Sequence, residues 1–352
     1  MRAIDFFCGA GGFTAGLREV GIEVPYGIDS DGDCRRAYEY NNPGSSFVQA
    51  DLRSLDPAML SSIAPDLRAD DADMLFVGCA PCQPFSQHRR VKSKHPDATL
   101  LSRFGALVSA YRPGQVLVEN VPGLAKIPGN STFNRFVAQL KRDGYSVDCD
   151  VLDAKHYGVP QSRRRLVLFA THAGEASLPP GTHGPNLLPY ATVRDAIDGL
   201  PKLAAGASHA KVVNHRAAAL SDLNRRRMLH TAPDGGSRRE WPDELVLECH
   251  RGDHKGHSDV YGRMRWDAPS PALTGRCHSI SNGRFGHPVQ NRAISLREAA
   301  SLQTFPTDYE FFGSMSQIAQ QIGNAVPVRL AAVLGAQVLA ARDAARSPAG
   351  TK

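Results

Sequence analysis

Short apolar runs separated by helix-like stretches fill the first half of this 352-residue chain. The strand candidates are residues 3–7, 24–28, 74–77, 116–118, 147–151 and 166–170, with a further strand-like segment at 47–50. Helix candidates include 15–20, 32–41 and 134–143. A continuous run such as Met74-Leu75-Phe76-Val77 suits a strand buried on both faces. The alternation of the strand candidates with helices predicts an α/β fold built on a mostly parallel, doubly wound, Rossmann-like sheet. In such a sheet, ligands and chemistry gather beyond the carboxyl ends of the strands.

Beyond about residue 171 the pattern fades. Ten of the thirteen histidines fall between 171 and 290. Turn signals abound, among them Pro179-Pro180-Gly181, Asp234-Gly235-Gly236 and Asn282-Gly283. A smaller, loop-rich domain is expected over 171–290. From about 291 order returns: Ser295, with Glu298 three residues on, forms a capping box for a helix over 295–303, and 327–343 reads as an Ala-rich helix with Pro327 in its first turn. The expected organisation is a discontinuous first domain, 1–170 plus 291–352, interrupted by the second.

The apolar run Met74-Leu75-Phe76-Val77 leads directly into Gly78-Cys79-Ala80-Pro81-Cys82-Gln83-Pro84-Phe85-Ser86. Pro81 and Pro84 forbid a regular helix or central strand across Cys82. The thiol is therefore displayed on a stiff loop at a strand's end, the position of a nucleophile. Read alone, Cys79 and Cys82 also make a C-x-x-C, compatible with a redox pair or half a zinc site. No second C-x-x-C completes a four-cysteine site. Cys249, His250, His254 and His257 fit no common zinc spacing, and no metal is expected.

A formal charge of +6 suits a polyanionic partner without establishing one. Seven scattered cysteines form no disulfide framework and favour a reducing compartment. Residues 4–7 already belong to a fold element, leaving no room for a signal peptide. No stretch of about 18 apolar residues suggests a membrane span. A cytoplasmic protein is expected.

Between the first strand and its helix lies Phe6-Phe7-Cys8-Gly9-Ala10-Gly11-Gly12-Phe13-Thr14-Ala15-Gly16. Glycines there let backbone approach a ligand and expose helix N-terminal amides. Thr14 stands where a dinucleotide fingerprint needs its third Gly, which disfavours a nicotinamide enzyme. A plain tight turn stays open as an alternative. Asp29 follows the second strand, where a carboxylate takes a ribose diol, and Asp51 follows 47–50, able to accept from an adenine amino group. Glu119 ends the run Val116-Leu117-Val118, and its apolar walls are expected to raise its pKa into a range useful for proton donation. Gln161-Ser162-Arg163-Arg164-Arg165 precedes the strand at 166–170.

Together these strings resemble the DNA cytosine-5 methyltransferases of bacterial restriction–modification systems. The resemblance spans residues 5 to 330 and includes Glu119-Asn120-Val121, the Gln-x-Arg-x-Arg of Gln161, Arg163 and Arg165, the segment 297–306, and Gln321-Ile322-Gly323-Asn324-Ala325-Val326-Pro327. It implies a double-stranded DNA substrate and S-adenosyl-L-methionine as cofactor, held by Phe7, Gly9, Gly11, Gly12, Phe13, Asp29, Ser30, Asp51, Leu52, Gly78, Pro81, Leu100, Asn324 and Val326. The family more often has Glu where Asp29 stands. Cys79-Ala80 also departs from the family's usual Gly or Ser and Pro.

By the same resemblance Cys82 adds to cytosine C6 while Glu119 binds N3. Arg163 contacts the ring near O2, and Arg165 braces the site. The base is flipped from the duplex. Residues 83–100 form a mobile loop whose Ser86, Gln87, Arg89 and Arg90 reach DNA, and Gln161, Arg263 and Arg276 add further DNA contacts. The second domain becomes a target-recognition domain, and the protein acts as a monomer, away from membranes, with a restriction endonuclease as functional counterpart. Two rivals remain: a transfer-RNA cytosine-5 methyltransferase on the same scaffold, and a catalytically silent DNA-binding protein. A nucleobase deaminase is disfavoured, because no His has Glu two residues on and Pro81-Cys82 lacks a second Cys at 85.

Overall fold

The computed structural model describes residues 1–80, 99–124, 131–251 and 259–346. Its contacts divide the chain into two units. The first comprises Met1–Asp153, Arg164–Gly181 and Val328 onward. Here β1 (Arg2–Phe6), α1 (Gly12–Glu19), β2 (Glu23–Asp29), α2 (Arg35–Asn41), β3 (Ser46–Gln49), α3 (Pro57–Ile63), β4 (Met74–Gly78), α4 (Leu100–Tyr111), β5 (Gln115–Asn120), α5 (Thr132–Arg142) and β6 (Ser146–Asp153) follow in order. After β7 (Gln161–Ser162), which belongs to the second unit, β8 (Arg164–Thr171) completes a seven-stranded sheet of order β3-β2-β1-β4-β5-β8-β6.

Neighbours from β3 to β5 run parallel, and β8 is antiparallel to both β5 and β6. The α/β expectation therefore holds. The chain winds outward from β1 to β3 and then returns to the other side of β1 as β4. That reversal opens a crevice beyond the carboxyl ends of β1 and β4. Phe6, Phe76 and Phe104 stack below it, with ring centroids 5.1 and 5.4 Å from Phe6. Each such ring removes roughly 2–3 kcal/mol worth of apolar surface from water. Helix α4 escaped the sequence reading because it carries little polar face: seven of its residues, Leu100 and Phe104 among them, are buried.

The last helix, α10 (Val328–Arg346), packs against α1. A Cβ at Gly16 would lie 2.3 Å from the Val328 carbonyl oxygen, and one at Gly335 would lie 2.9 Å from Leu17. At Gly16, which meets backbone, only glycine permits this approach. By length and composition the stretch Met315–Arg346 is apolar enough to cross a membrane, contrary to expectation. For α10, packing against α1 accounts for the apolar side chains.

The second unit holds Ala154–Arg163 and Thr182–Pro327. It contains α6 (Val193–Ile197), α7 (Asp222–Leu229), β9 (Ser270–Pro271, parallel to β7), α8 (Leu296–Leu302) and α9 (Met315–Asn324). The expected capping box of Ser295 and Glu298 starts α8. The expected boundary is corrected, however: 291–327 clusters with the second unit, and only Val328 onward joins the sheet. Buried polar bonds explain this. Arg292 forks Glu298 at 2.7 Å and also donates to Leu203, while Arg297 donates to the Val213 carbonyl.

Candidate active site

In the antiparallel β5–β8 pair, Glu119 lies opposite Val167 and Asn120 opposite Leu166. Side chains alternate along a strand, so Arg165, two residues before Val167, shares a face with Glu119 as its diagonal neighbour. Arg165 Nε accordingly lies 2.9 Å from Glu119 Oε1, the two side chains being 16% and 9% exposed. The contact is ionic and poorly aligned, and Oε1 has no hydrogen-bond partner among the described residues. A permanently charged planar fork thus stands beside a largely desolvated carboxyl group with acceptor capacity to spare. Such a couple can hold a planar heterocycle by its edge and exchange a proton with it.

Asn120, on the opposite face, was read only as part of the string around Glu119. Its Nδ2 donates to the Ala80 carbonyl at 3.0 Å, and its Oδ1 accepts from Val121 N at 2.7 Å. Cys79 N donates to Phe6 O at 3.3 Å. The ends of β1 and β5 thereby anchor the chain up to Ala80. Pro81, Cys82, Ser86, Gln87, Arg89 and Arg90 lie outside the described residues, as do His254 and His257.

On the crevice side, Phe7 has a φ of +65°, Gly9 of +50° and Gly11 of +89°. The left-handed backbone costs a non-glycine residue such as Phe7 roughly 1–2 kcal/mol. Its N–H still bonds Ile28 O at 2.7 Å. Gly9 N donates to Asp29 Oδ2 and Asp31 N to Asp29 Oδ1, both at 2.9 Å. Burial pushes the Asp29 carboxyl up, and those two amides oppose it. Each Asp29 oxygen keeps a lone pair for a further donor. Gly11 caps α1 without a side-chain hydrogen bond, which leaves first-turn amides available to a ligand.

Phe13 and Leu52 are buried, Leu100 opens α4 as a buried residue, and Ser30 is exposed. Asp51 is engaged by Arg53, whose Nε and Nη2 lie 2.9 and 2.7 Å from Oδ2. That pairing holds the Asp51 carboxyl below its usual range. Gly78 ends β4 against Phe104, leaving 3.0 Å for any added Cβ. The strained loop, the doubly amide-bonded Asp29 and the uncapped helix form a cradle fitting a nucleoside with a polar tail.

Three expected contacts are corrected. Arg163, expected at the ring near O2, is 2% exposed and donates to the carbonyls of Leu273 (2.9 Å), Gly323 (3.2 Å) and Ala325 (3.0 Å). Arg165, inside β8, is the arginine on the face of Glu119. Gln161 is fully buried, accepting from Leu273 N and donating to Gln303 Oε1, both at 2.9 Å. Arg263 is also 2% exposed, its guanidinium spent on Thr231 O, Met228 O, His287 O, Gln290 O and Asn291. Both side chains are occupied by these internal bonds. Arg276 is exposed, as is Asn324 at the end of α9, while Val326 is buried.

Residues 1–340 match the family model described as C-5 cytosine-specific DNA methylase. The Type II methylase M.HgiDII of Herpetosiphon aurantiacus is 41% identical, across 95% of this chain and 94% of its own length. The Type II methyltransferase M1.HphI of Haemophilus parahaemolyticus is 32% identical, across 96% and 87%. Among solved structures, a prophage-encoded protein of E. coli aligns with a TM-score of 0.76 at 20% identity, covering 97% of this chain and 99% of that one. At that identity the likeness speaks for the fold alone.

Proposed function

The chain belongs to the C-5 cytosine-specific DNA methylase family, and from there we propose that it methylates C5 of cytosine in one specific double-stranded DNA sequence through a covalent Cys82 adduct. It is a DNA cytosine-5 methyltransferase by family. The observation that carries it is the Glu119–Arg165 couple at the end of β5, 2.9 Å apart and largely desolvated.

Cytosine C5 is too weak a nucleophile to be alkylated unaided. Addition of the Cys82 thiolate to C6, with a proton placed at N3 by Glu119, turns C5 into an enamine carbon nucleophile. Arg165 holds the Glu119 carboxyl in position and offers its remaining donors to the ring. S-adenosyl-L-methionine, when bound, supplies an electrophilic sulfonium methyl group. Phe7, Gly9, Gly11, Phe13 and Asp29 would hold it on the first unit, with Ser30, Asp51, Leu52, Gly78 and Leu100 contributing. After C5 is methylated, water as base takes the C5 proton, the C6–S bond breaks to release the Cys82 thiolate, and N3 returns its proton to Glu119, which restores aromaticity. The base must leave the duplex to be reached. The Type II relatives support a protective role beside an endonuclease, which carries a cytoplasmic location with it.

Base-resolution mapping of 5-methylcytosine in a methylation-free bacterial host tests this. Wild-type protein is expected to mark cytosine in one short context, and Cys82→Ser to leave DNA unmarked. Unmodified DNA from a host making soluble wild-type protein would overturn the reading and direct the same mapping to RNA.

A further inference from the structure

In the second unit, Leu273 is gripped at both ends of its peptide backbone. Its N–H donates to Gln161 Oε1 and its carbonyl accepts from Arg163 Nη1, each at 2.9 Å. Both clamping side chains are buried and tied onward: Gln161 to Gln303, and Arg163 to the carbonyls of Gly323 and Ala325. Gln303 in turn donates to Ile322 O at 2.7 Å. The β7–β9 ladder, pairing Gln161 with Ser270, brings the two strings together.

Immediately after Leu273 the chain makes a tight turn. Cys277 N donates to Thr274 O and Ser279 N to Arg276 O, both at 3.0 Å. Thr274 Oγ1 accepts from Arg276 N at 3.3 Å. The turn rests on α9 so closely that a Cβ at Gly323 would lie 2.1 Å from Thr274 O. Its base is rigid, yet Arg276 at its tip is exposed. Between Asp267 and Glu298 the sequence holds no carboxylate. Of the arginines there, Arg284, Arg292 and Arg297 are bound to backbone carbonyls of their own unit. Ser279, Ser281 and Asn282 follow Arg276 with hydroxyl and amide groups. An exposed cation at the tip of a hydrogen-bonded turn, in a stretch of sequence without carboxylates, suits a phosphodiester or the acceptor edge of a guanine.

We propose that Arg276 contacts the DNA, and that Gln161 and Arg163 are positioning residues that act through Leu273 to aim it; this rests on the DNA methyltransferase reading above. The motif's first two members thus serve recognition at one remove, while Arg165 serves chemistry.

The test is a double-mutant cycle on the full chain. Binding of a short fluorescein-labelled duplex carrying the mapped target is followed by anisotropy across a salt series for wild type, Arg276→Gln, Gln161→Asn and the double variant. Thermal unfolding serves as the folding control. Arg276→Gln should weaken binding about tenfold and, for a phosphate contact, lower the salt slope by about one. Asparagine is one methylene too short to hold Leu273, so Gln161→Asn should weaken binding while the double variant binds no worse than Arg276→Gln. Unchanged affinity and slope for Arg276→Gln would overturn the contact. Additive losses in the double variant would overturn the positioning role. Should Gln161→Asn not fold, Arg163→Lys takes its place in the cycle. Failure of the wild type to bind the duplex would instead sink the functional reading.

Discussion

In the sheet unit the largest fully buried side chains include Phe6, Phe76, Phe104 and Phe169, whereas in the second unit they are led by Arg263, Arg292 and Arg297. The first kind of interior is held by apolar area, a non-directional force that tolerates repacking. The second is held by guanidinium groups donating to backbone carbonyls, which fixes loops with little regular structure to offer. Apolar packing accompanies them, with Met228, Trp241, Leu245, Tyr261, Ile280 and Ala293 forming one cluster. The difference teaches that charge means opposite things in the two places. At the edge of the sheet a charged pair, Glu119 and Arg165, borders the candidate site, and in the second unit buried guanidinium groups supplement a hydrophobic core.

Separating rate from stability is the sharpest way to break that contrast. Glu119→Gln should lower kcat by about 10²–10⁴-fold, the range of a lost general acid, with little change in the unfolding midpoint. Steady-state kinetics beside a urea titration would check it, and retained activity would remove Glu119 from the chemistry. Arg263→Met should do the reverse at the level of the fold. Leaving several buried carbonyls without donors is expected to cost about 3–5 kcal/mol, read as a lower urea midpoint. A loss under about 1 kcal/mol would mean that the second unit's interior is not held as argued.

The pH dependence of stability sharpens the same contrast. Burial pushes Asp5 in the sheet unit up to about 7 from 3.8, opposed by a hydrogen bond from Thr14. The native state then holds a proton the unfolded chain has lost, so stability should fall as pH rises from about 3.8 to about 7. Asp5→Asn should flatten that fall. Burial also pushes Glu298 up, but the fork from Arg292 outweighs it and leaves the carboxyl below its ordinary value. Its contribution is present above the ordinary carboxylate range and is lost as pH falls through the lowered value. Glu298→Gln should remove that acid-side loss. Urea midpoints across pH would test both, and a flat wild-type profile on both sides would contradict them.

The smallest effect is expected at Arg53. Its pair with Asp51 is half exposed, so Arg53→Ala should change stability by less than about 1 kcal/mol. Asp51 should then return toward the ordinary carboxylate range, observable by NMR titration; an unmoved Asp51 would show that Arg53 is not what holds it down.

Much of the molecule was legible along the chain. Local rules sufficed where neighbours in sequence are neighbours in space: the apolar runs that became β1 to β5, the Gly-rich turn, and the capping box of Ser295 and Glu298. Helix α4 was missed because a helix buried on most sides shows little amphipathic period. The boundary near residue 291 was misplaced because the bonds of Arg292, Arg297 and Gln303 to distant carbonyls have no signature in composition.

The sequence by itself determined the fold class and the family, because strand period, turn chemistry and motif spacing are properties of short stretches. Only the tertiary structure decided which arginine of the Gln-x-Arg-x-Arg string stands beside Glu119. That choice depends on the antiparallel register of β5 and β8, which sets Arg165 on the diagonal from Glu119, and on the carbonyls of Leu273, Gly323 and Ala325 that claim Arg163. Both are contacts between residues far apart in the chain, and no local pattern encodes them.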